Sequence, residues 1–169
     1  MAGLISTEIA AHGASHVSVI GDSAGGNLAL AAAEYMVAHG DPVPASMVLL
    51  SPWLDLGMTN PNIAFVQDPL LVPVGTAQQI GKVWAGNLSV TNPEVSPLYG
   101  SLSGLPRTYV YSGSMDSLSG EAFVLQRAAV AQGAPISFVL AHGQIHDWII
   151  LTPTGALKYW PQIDQQLGA

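Results

Sequence analysis

The sequence predicts an α/β fold, a parallel sheet with flanking helices, and three observations carry that prediction. Short aliphatic runs alternate four times with longer helical stretches, the arrangement that builds a parallel sheet from right-handed βαβ crossovers. The runs are nearly continuous in apolar residues, as strands covered on both faces are. The first run passes through Gly21-Asp22-Ser23-Ala24-Gly25 directly into an Ala-rich stretch. That is strand, sharp turn and helix, the context in which such a turn presents a serine.

In chain order, Met1–His12 reads as the tail of a helix, and Gly13-Ala14-Ser15 turns into a strand over Val17–Ile20. A helix follows from about Asn27 to His39; its alanines allow close approach to a sheet, and Gly40-Asp41-Pro42 stops it. Ser46–Leu50 is the second strand, ending in Ser51-Pro52-Trp53-Leu54-Asp55-Leu56. Gly57–Pro73 reads as irregular, with Pro61 and Pro69 inside it, and a helix is predicted over Gly75–Ala85. Asn92–Pro106 is again loop, broken by Pro93, Pro97 and Pro106. Thr108–Ser112 is the third strand, followed by Gly113-Ser114-Met115-Asp116 and a helix over Gly120–Gln132 with Gly133 just past its end. Ile136–Leu140 is the fourth strand and Ala141–Asp147 a loop. A last helix lies within Thr154–Leu167, where Pro161 must kink it or occupy a first turn. No repeat, low-complexity tract or linker divides the 169 residues, which read as one domain with a single core.

Composition narrows the function. Hydrophobic residues make up 49 % and charged residues 9 %, against a usual charged share of about 25 %. So few charges leave a large apolar face to meet something other than water. A net charge of −7, with Lys82, Arg107, Arg127 and Lys158 as the fixed cations, argues against nucleic acid or an anionic membrane as partner. Without cysteine there is no disulfide framework and no thiolate metal site. Apolar runs stop well short of the ~18 residues of a transmembrane helix. The amino terminus lacks a basic start and is interrupted by Glu8, so it does not read as a signal peptide. The compartment is not readable beyond a cytoplasmic default.

The chemistry centres on three strand ends, where open parallel sheets collect function. The first presents Ser23. A serine forced onto a tight turn leaves little room for a Cβ two residues away, so Gly21 and Gly25 are predicted to relieve crowding. The following helix aims free N–H groups at the serine, and the Ala24 N–H can donate to a developing oxyanion. A glycine-rich connection is the plainer reading. The dinucleotide Gly-x-Gly-x-x-Gly order and the phosphate-loop Gly-Lys-Ser/Thr are both absent. The other strand ends present Asp116 and the loop with His146. Serine, acid, histidine is the chain order of α/β hydrolases, in which an imidazole takes the serine proton and a carboxylate fixes and stabilises that imidazole.

Alternatives exist for each. Asp116 could be a turn residue capping the next helix. Asp55 and Glu121 are rival acids: Asp55 follows the second strand, and Glu121 falls in a helix's first turn, where the macrodipole suits it. His142 is the rival histidine. His142-x-x-x-His146 has metal-like spacing with Asp147 beside it, but Gly143 and the preceding strand oppose a helix there, and no metal site is predicted. His12, His16 and His39 are read as solvent-facing or structural.

Gly21-Asp22-Ser23-Ala24-Gly25-Gly26-Asn27-Leu28-Ala29 resembles the nucleophile elbow of the hormone-sensitive-lipase family of α/β-hydrolase esterases and lipases. Ser51-Pro52-Trp53-Leu54-Asp55-Leu56, Val95-Ser96-Pro97-Leu98, Gly104-Leu105-Pro106 and Gly113-Ser114-Met115-Asp116-Ser117-Leu118 resemble that family too, in its order, from about Gly13 to the end. The resemblance implies an α/β-hydrolase fold and hydrolysis of a small-molecule or lipid ester without a cofactor. It makes Ser23 the nucleophile, Asp116 the acid and His146 the base. The family usually writes His-Gly-Phe where this chain has His146-Asp147-Trp148, which brings a carboxylate and a bulkier ring to the imidazole.

The family also carries an upstream His-Gly-Gly-Gly oxyanion loop and an amino-terminal cap, and nothing here matches either. The expectation is the carboxy-terminal half of such an enzyme, of reduced activity, with an open strand edge inviting self-association or pairing with an amino-terminal half. A non-enzymatic small-molecule-binding relative, an inactive fragment, and an amidase or peptidase on the same fold are the competing readings.

Overall fold

The computed structural model describes residues 1–168. Its four strands are β1 (Ser18–Asp22), β2 (Ser46–Leu50), β3 (Arg107–Gly113) and β4 (Ile136–Ala141). All neighbours are parallel and stand in the order β1-β2-β3-β4. In register, Ser18 faces Ser46, Ser46 faces Arg107 and Thr108 faces Ile136.

The continuous apolar reading of β2 is explained by cover on both faces. Met47 and Leu49 point into a cluster with Leu30 and Ala33 of α2 (Ala24–His39) and Ala122, Leu125 and Ala129 of α4 (Ser119–Gln132). Val48 and Leu50 point the other way, onto Tyr111, Trp148, Ile149 and Ile163. All five β2 residues are buried. β1 lies at one edge of this sheet, and its Ile20 is 42 % exposed. α1 (Ala2–His12) packs Ile5 and Ile9 onto Ala32 and Met36 of α2. α2 and α4 end on Gly40 and Gly133 in the left-handed region, where a side chain would be strained.

Several expectations are corrected. α2 begins at Ala24, directly after the serine, instead of near Asn27. Between the loop Ala141–Asp147 and the last predicted helix, a stretch to which the sequence assigned no element is helical. Trp148–Leu151 forms a short helix, α5, and Pro153–Leu167 forms α6 with Thr152 as its cap. Pro153 takes the first-turn place, while Pro161 sits inside α6. There it removes the N–H that the carbonyl of Leu157 would accept from, and Leu157 is exposed. The irregular section before α3 (Val74–Ala85) contains a 3₁₀ turn at Pro61–Phe65 capped by Asn60. No helix among the described residues is long and apolar enough to cross a membrane.

Candidate active site

Ser23 occupies the single residue between β1 and α2, at φ 52°, ψ −113°, a backbone region that an L-residue enters only when its surroundings force it. The forcing is visible in its hydrogen bonds. Ser23 N donates 2.8 Å to the Leu50 carbonyl, and the Ser23 carbonyl accepts from Gly26 N, Asn27 N and Trp53 N. Asn27, buried in the first turn of α2, donates to the carbonyls of Trp53 (2.7 Å) and Val95 (2.9 Å). That one amide ties the elbow to two loops that are distant in sequence.

The glycines divide their roles differently from the sequence expectation. A Cβ on Gly21 would overlap the Gly25 carbonyl, and one on Gly26 would lie 2.8 Å from Pro52 Cβ. A Cβ on Gly25 would meet nothing within 4 Å. The crowding is between the Gly21 backbone and the helix, and between Gly26 and the loop after β2. Gly25 supplies its carbonyl to the first contact and needs no space of its own. Ala24 is exposed at the first position of α2, where a helix N–H has no partner inside the helix.

The end of β3 brings in the acid. Asp116 has no exposed surface. Its Oδ1 accepts from Leu118 N at 2.8 Å, closing the turn just ahead of α4 without capping the helix itself. Both its oxygens also lie 3.2 Å from His146 Nδ1. His146, 6 % exposed, presents Nε2 to Ser23 Oγ at 3.1 Å. Gly113 permits the approach of the two strand ends. A Cβ there would overlap the Gln144 carbonyl, which accepts from Met115 N at 2.8 Å. Burial works to lower the basicity of His146, but the hydrogen bond and charge of Asp116, with Asp147 and Asp68 behind it, outweigh burial and raise it above the usual histidine range.

The rivals are placed elsewhere. Asp55 staples its own turn, accepting from Gly57 N at 2.8 Å and from the Thr59 amide and hydroxyl at 3.1 and 2.9 Å. Glu121 lies in the first turn of α4 as expected. It is nevertheless wholly buried, with neither oxygen hydrogen-bonded among the described residues. Burial pushes it up to about 8, so below that pH it is a neutral acid and the macrodipole has no charge to act on. His142 is exposed, as are His12, His16 and His39.

Two acids near the imidazole escaped the sequence reading or were left without a role. Asp68 accepts from Leu70 N (2.9 Å) and Ser117 N (3.1 Å), bridging the irregular section to the Asp116 turn. With Asp116 and His146 it forms the one acid–histidine group among the described residues whose ligand atoms lie within 4.8 Å of one another. Its signal was Asp68-Pro69, a turn-forming pair. Asp147 stands at φ 54°, ψ 22°, donates its N–H to Ser51 Oγ (3.1 Å) and places Oδ1 3.4 Å from His146 Nε2. An apolar cavity of about 160 Å³ opens beside Ala24, walled by Leu28, Trp53, Leu56, Ile80 and Trp84.

Residues 4–150 match a family described as alpha/beta hydrolase fold. The chain is 64 % identical over 168 residues to a triacylglycerol lipase of Mycobacterium tuberculosis (strain ATCC 25618 / H37Rv), which covers 99 % of this chain and 34 % of that protein. An acetyl-hydrolase of Streptomyces hygroscopicus is 31 % identical over 133 residues, 78 % of this chain and 44 % of that one. Among solved structures, an esterase from the bacterial hormone-sensitive lipase (HSL) family superposes with a TM-score of 0.83 at 31 % identity, over 95 % of this chain and 57 % of that one. The chain thus spans less than half the length of these two curated relatives.

Proposed function

The chain belongs to the alpha/beta hydrolase fold family, and from that premise we propose that it carries the catalytic residues of a serine carboxylic-ester hydrolase, an esterase or lipase. Ser23 is the nucleophile, His146 the base, Asp116 the acid, and the Ala24 N–H an oxyanion donor. The observation that carries this reading is the unbroken line from Ser23 Oγ through His146 to Asp116, at 3.1 and 3.2 Å.

In that arrangement Nε2 takes the serine proton as Oγ bonds to the ester carbonyl carbon, and Asp116 stabilises the imidazolium through Nδ1–H. The carbonyl oxygen becomes an oxyanion within reach of the helix N-terminus, where Ala24 N–H is free. Collapse breaks the bond to the alcohol, which leaves with the Nε2 proton. Water then repeats the sequence on the acyl-enzyme, releasing the carboxylic acid and restoring Ser23. The cavity walled by Leu28, Trp53, Leu56, Ile80 and Trp84 suits an apolar chain of the ester, and relatives named as a triacylglycerol lipase and an acetyl-hydrolase support the substrate class. The exposed Ile20 on the edge strand β1 supports association through that edge, either with a second copy or with an amino-terminal half. A sedimentation-velocity profile of a concentration-independent monomer would remove that part.

A fluorophosphonate ester tests the chemistry. Ser23→Ala is expected to abolish labelling, and label that survives it removes the nucleophile assignment. Labelling should rise with pH as His146 loses its proton, with a midpoint above ~6.5 because its folded-state affinity for the proton is raised. His146→Ala should erase that rise and His142→Ala should leave it.

A further inference from the structure

Asp147 stands in a left-handed backbone conformation that glycine takes freely, yet it carries a carboxyl and turns it inward. Its Oδ1 lies 3.4 Å from His146 Nε2, the nitrogen that also faces Ser23 Oγ at 3.1 Å. Asp147 Oδ1 is buried without a hydrogen-bond donor among the described residues, and so is Oδ1 of Asp22, the residue before the serine. Asp22 acts on Asp147 as a side-chain partner that raises its affinity for a proton. Two carboxyl groups can be hydrogen-bonded only when one of them holds a proton, since ionised carboxylates are acceptors alone. The titratable groups acting on Asp147 are Asp22 at the end of β1, His146, and Asp116 at the end of β3. Asp68 acts on the imidazole from the irregular section. His146 is the sole source of positive charge in that set.

We propose that Asp147 is a positioning residue for His146: bonded to Asp22 through one retained proton, its carboxyl sets the protonation of the imidazole from the Nε2 edge, as Asp116 does from the Nδ1 edge. This rests on the reading of His146 as the base for Ser23. An ionised carboxylate beside Nε2 favours the imidazolium and competes with Ser23 for that nitrogen. A carboxyl that keeps its proton leaves Nε2 neutral and free to accept from Ser23. Asp22 is the group that keeps it there. Burial and then the bond to Asp22 push Asp147 up to about 7, against the pull of His146.

The two acids therefore act on His146 with opposite sign. Held up to about 7, Asp147 carries part of a charge where the imidazole titrates; Asp147→Asn removes that part, so the imidazole should titrate at lower pH. Asp22→Asn removes the group that opposes ionisation of Asp147. A full charge then forms beside Nε2, and His146 should titrate at higher pH.

Heteronuclear NMR of the imidazole nitrogens of this chain reads both. The expected result is a fall of up to about one pH unit in Asp147→Asn, since a full neighbouring charge produces about one unit or more and Asp147 carries only part of one, and a rise in Asp22→Asn. Asp147→Gly, which fits the left-handed backbone, should reproduce the fall if the carboxyl is its cause. A merely structural contact would leave the midpoint in place or move it in the same direction in both variants, and either result overturns the proposal. The midpoint of Ser23 phosphonylation should follow the same order. Opposite shifts in a chain that does not label at all would defeat the hydrolase reading while leaving the carboxyl pair standing. Normal labelling with unmoved midpoints would defeat the pair alone.

Discussion

The elbow around Ser23 and the turn around His146 each hold a non-glycine residue at positive φ, Ser23 at 52° and Asp147 at 54°, but they are built by opposite means. The elbow draws much of its shape from its own flanks. The Gly21 backbone lies against the Gly25 carbonyl, and the Ser23 carbonyl is bonded by Gly26 N and Asn27 N. The His146 turn draws on remote parts of the chain. Ser114 Oγ accepts from Gly143 N, Met115 N donates to the Gln144 carbonyl, and Ser51 Oγ accepts from Asp147 N. The nucleophile is thus shaped in part by a dozen consecutive residues and anchored by Leu50 and Trp53 at the end of β2, whereas its base is held by the ends of β2 and β3. The difference matters for chemistry: small errors of folding elsewhere should displace the imidazole before they displace the serine.

The largest expected effect lies on the remote side. Asp116→Asn keeps the shape of the turn but presents an amide to His146 Nδ1, so the imidazole settles in the wrong tautomer. The rate of Ser23 phosphonylation should fall by up to ~10⁴-fold with the fold intact by circular dichroism. An unchanged rate there, with a loss in Asp55→Asn, would move the acid to the turn after β2 and break the comparison at its base.

A smaller effect sharpens the elbow side. Gly21→Ala drives a Cβ into the Gly25 carbonyl, a backbone atom that cannot swing away. Urea denaturation should show a loss of roughly 3 kcal/mol or more, the scale of overpacking against an unyielding neighbour. Gly25→Ala enters open space within α2 and should be neutral or stabilising by up to ~1 kcal/mol, since alanine is the better helix former. Equal losses in the two variants would restore the expectation that both glycines make room for the serine.

The two regions were unequally legible for the same reason that they are unequally built. The strand, turn and helix around Ser23 can be read from consecutive residues, as can the glycine stops at Gly40 and Gly133, because turn sterics and helix termination act over a few residues. His146 could be chosen over His142 only by family resemblance. What separates them in space is burial, and no local pattern reports which of two loop histidines goes inside. Trp148–Leu151 was missed as a helix because four residues carry no periodicity; their order comes from packing Trp148 and Ile149 under the sheet.

The sequence by itself determined the α/β alternation, the strands to within a residue or two, the elbow and the chain order of serine, acid and histidine. Each follows from hydrophobic runs and turn chemistry that are complete within a short window. Tertiary structure alone decided which glycines are crowded, that Asp68 bridges to the Asp116 turn, that Glu121 is buried and neutral, and that Asp147 sets a carboxyl oxygen beside Nε2. All four depend on what remote segments place within a few ångströms and on how much water they exclude. Desolvation and carboxyl–carboxyl proximity are properties of the assembled interior, and neither is written at any one position of the chain.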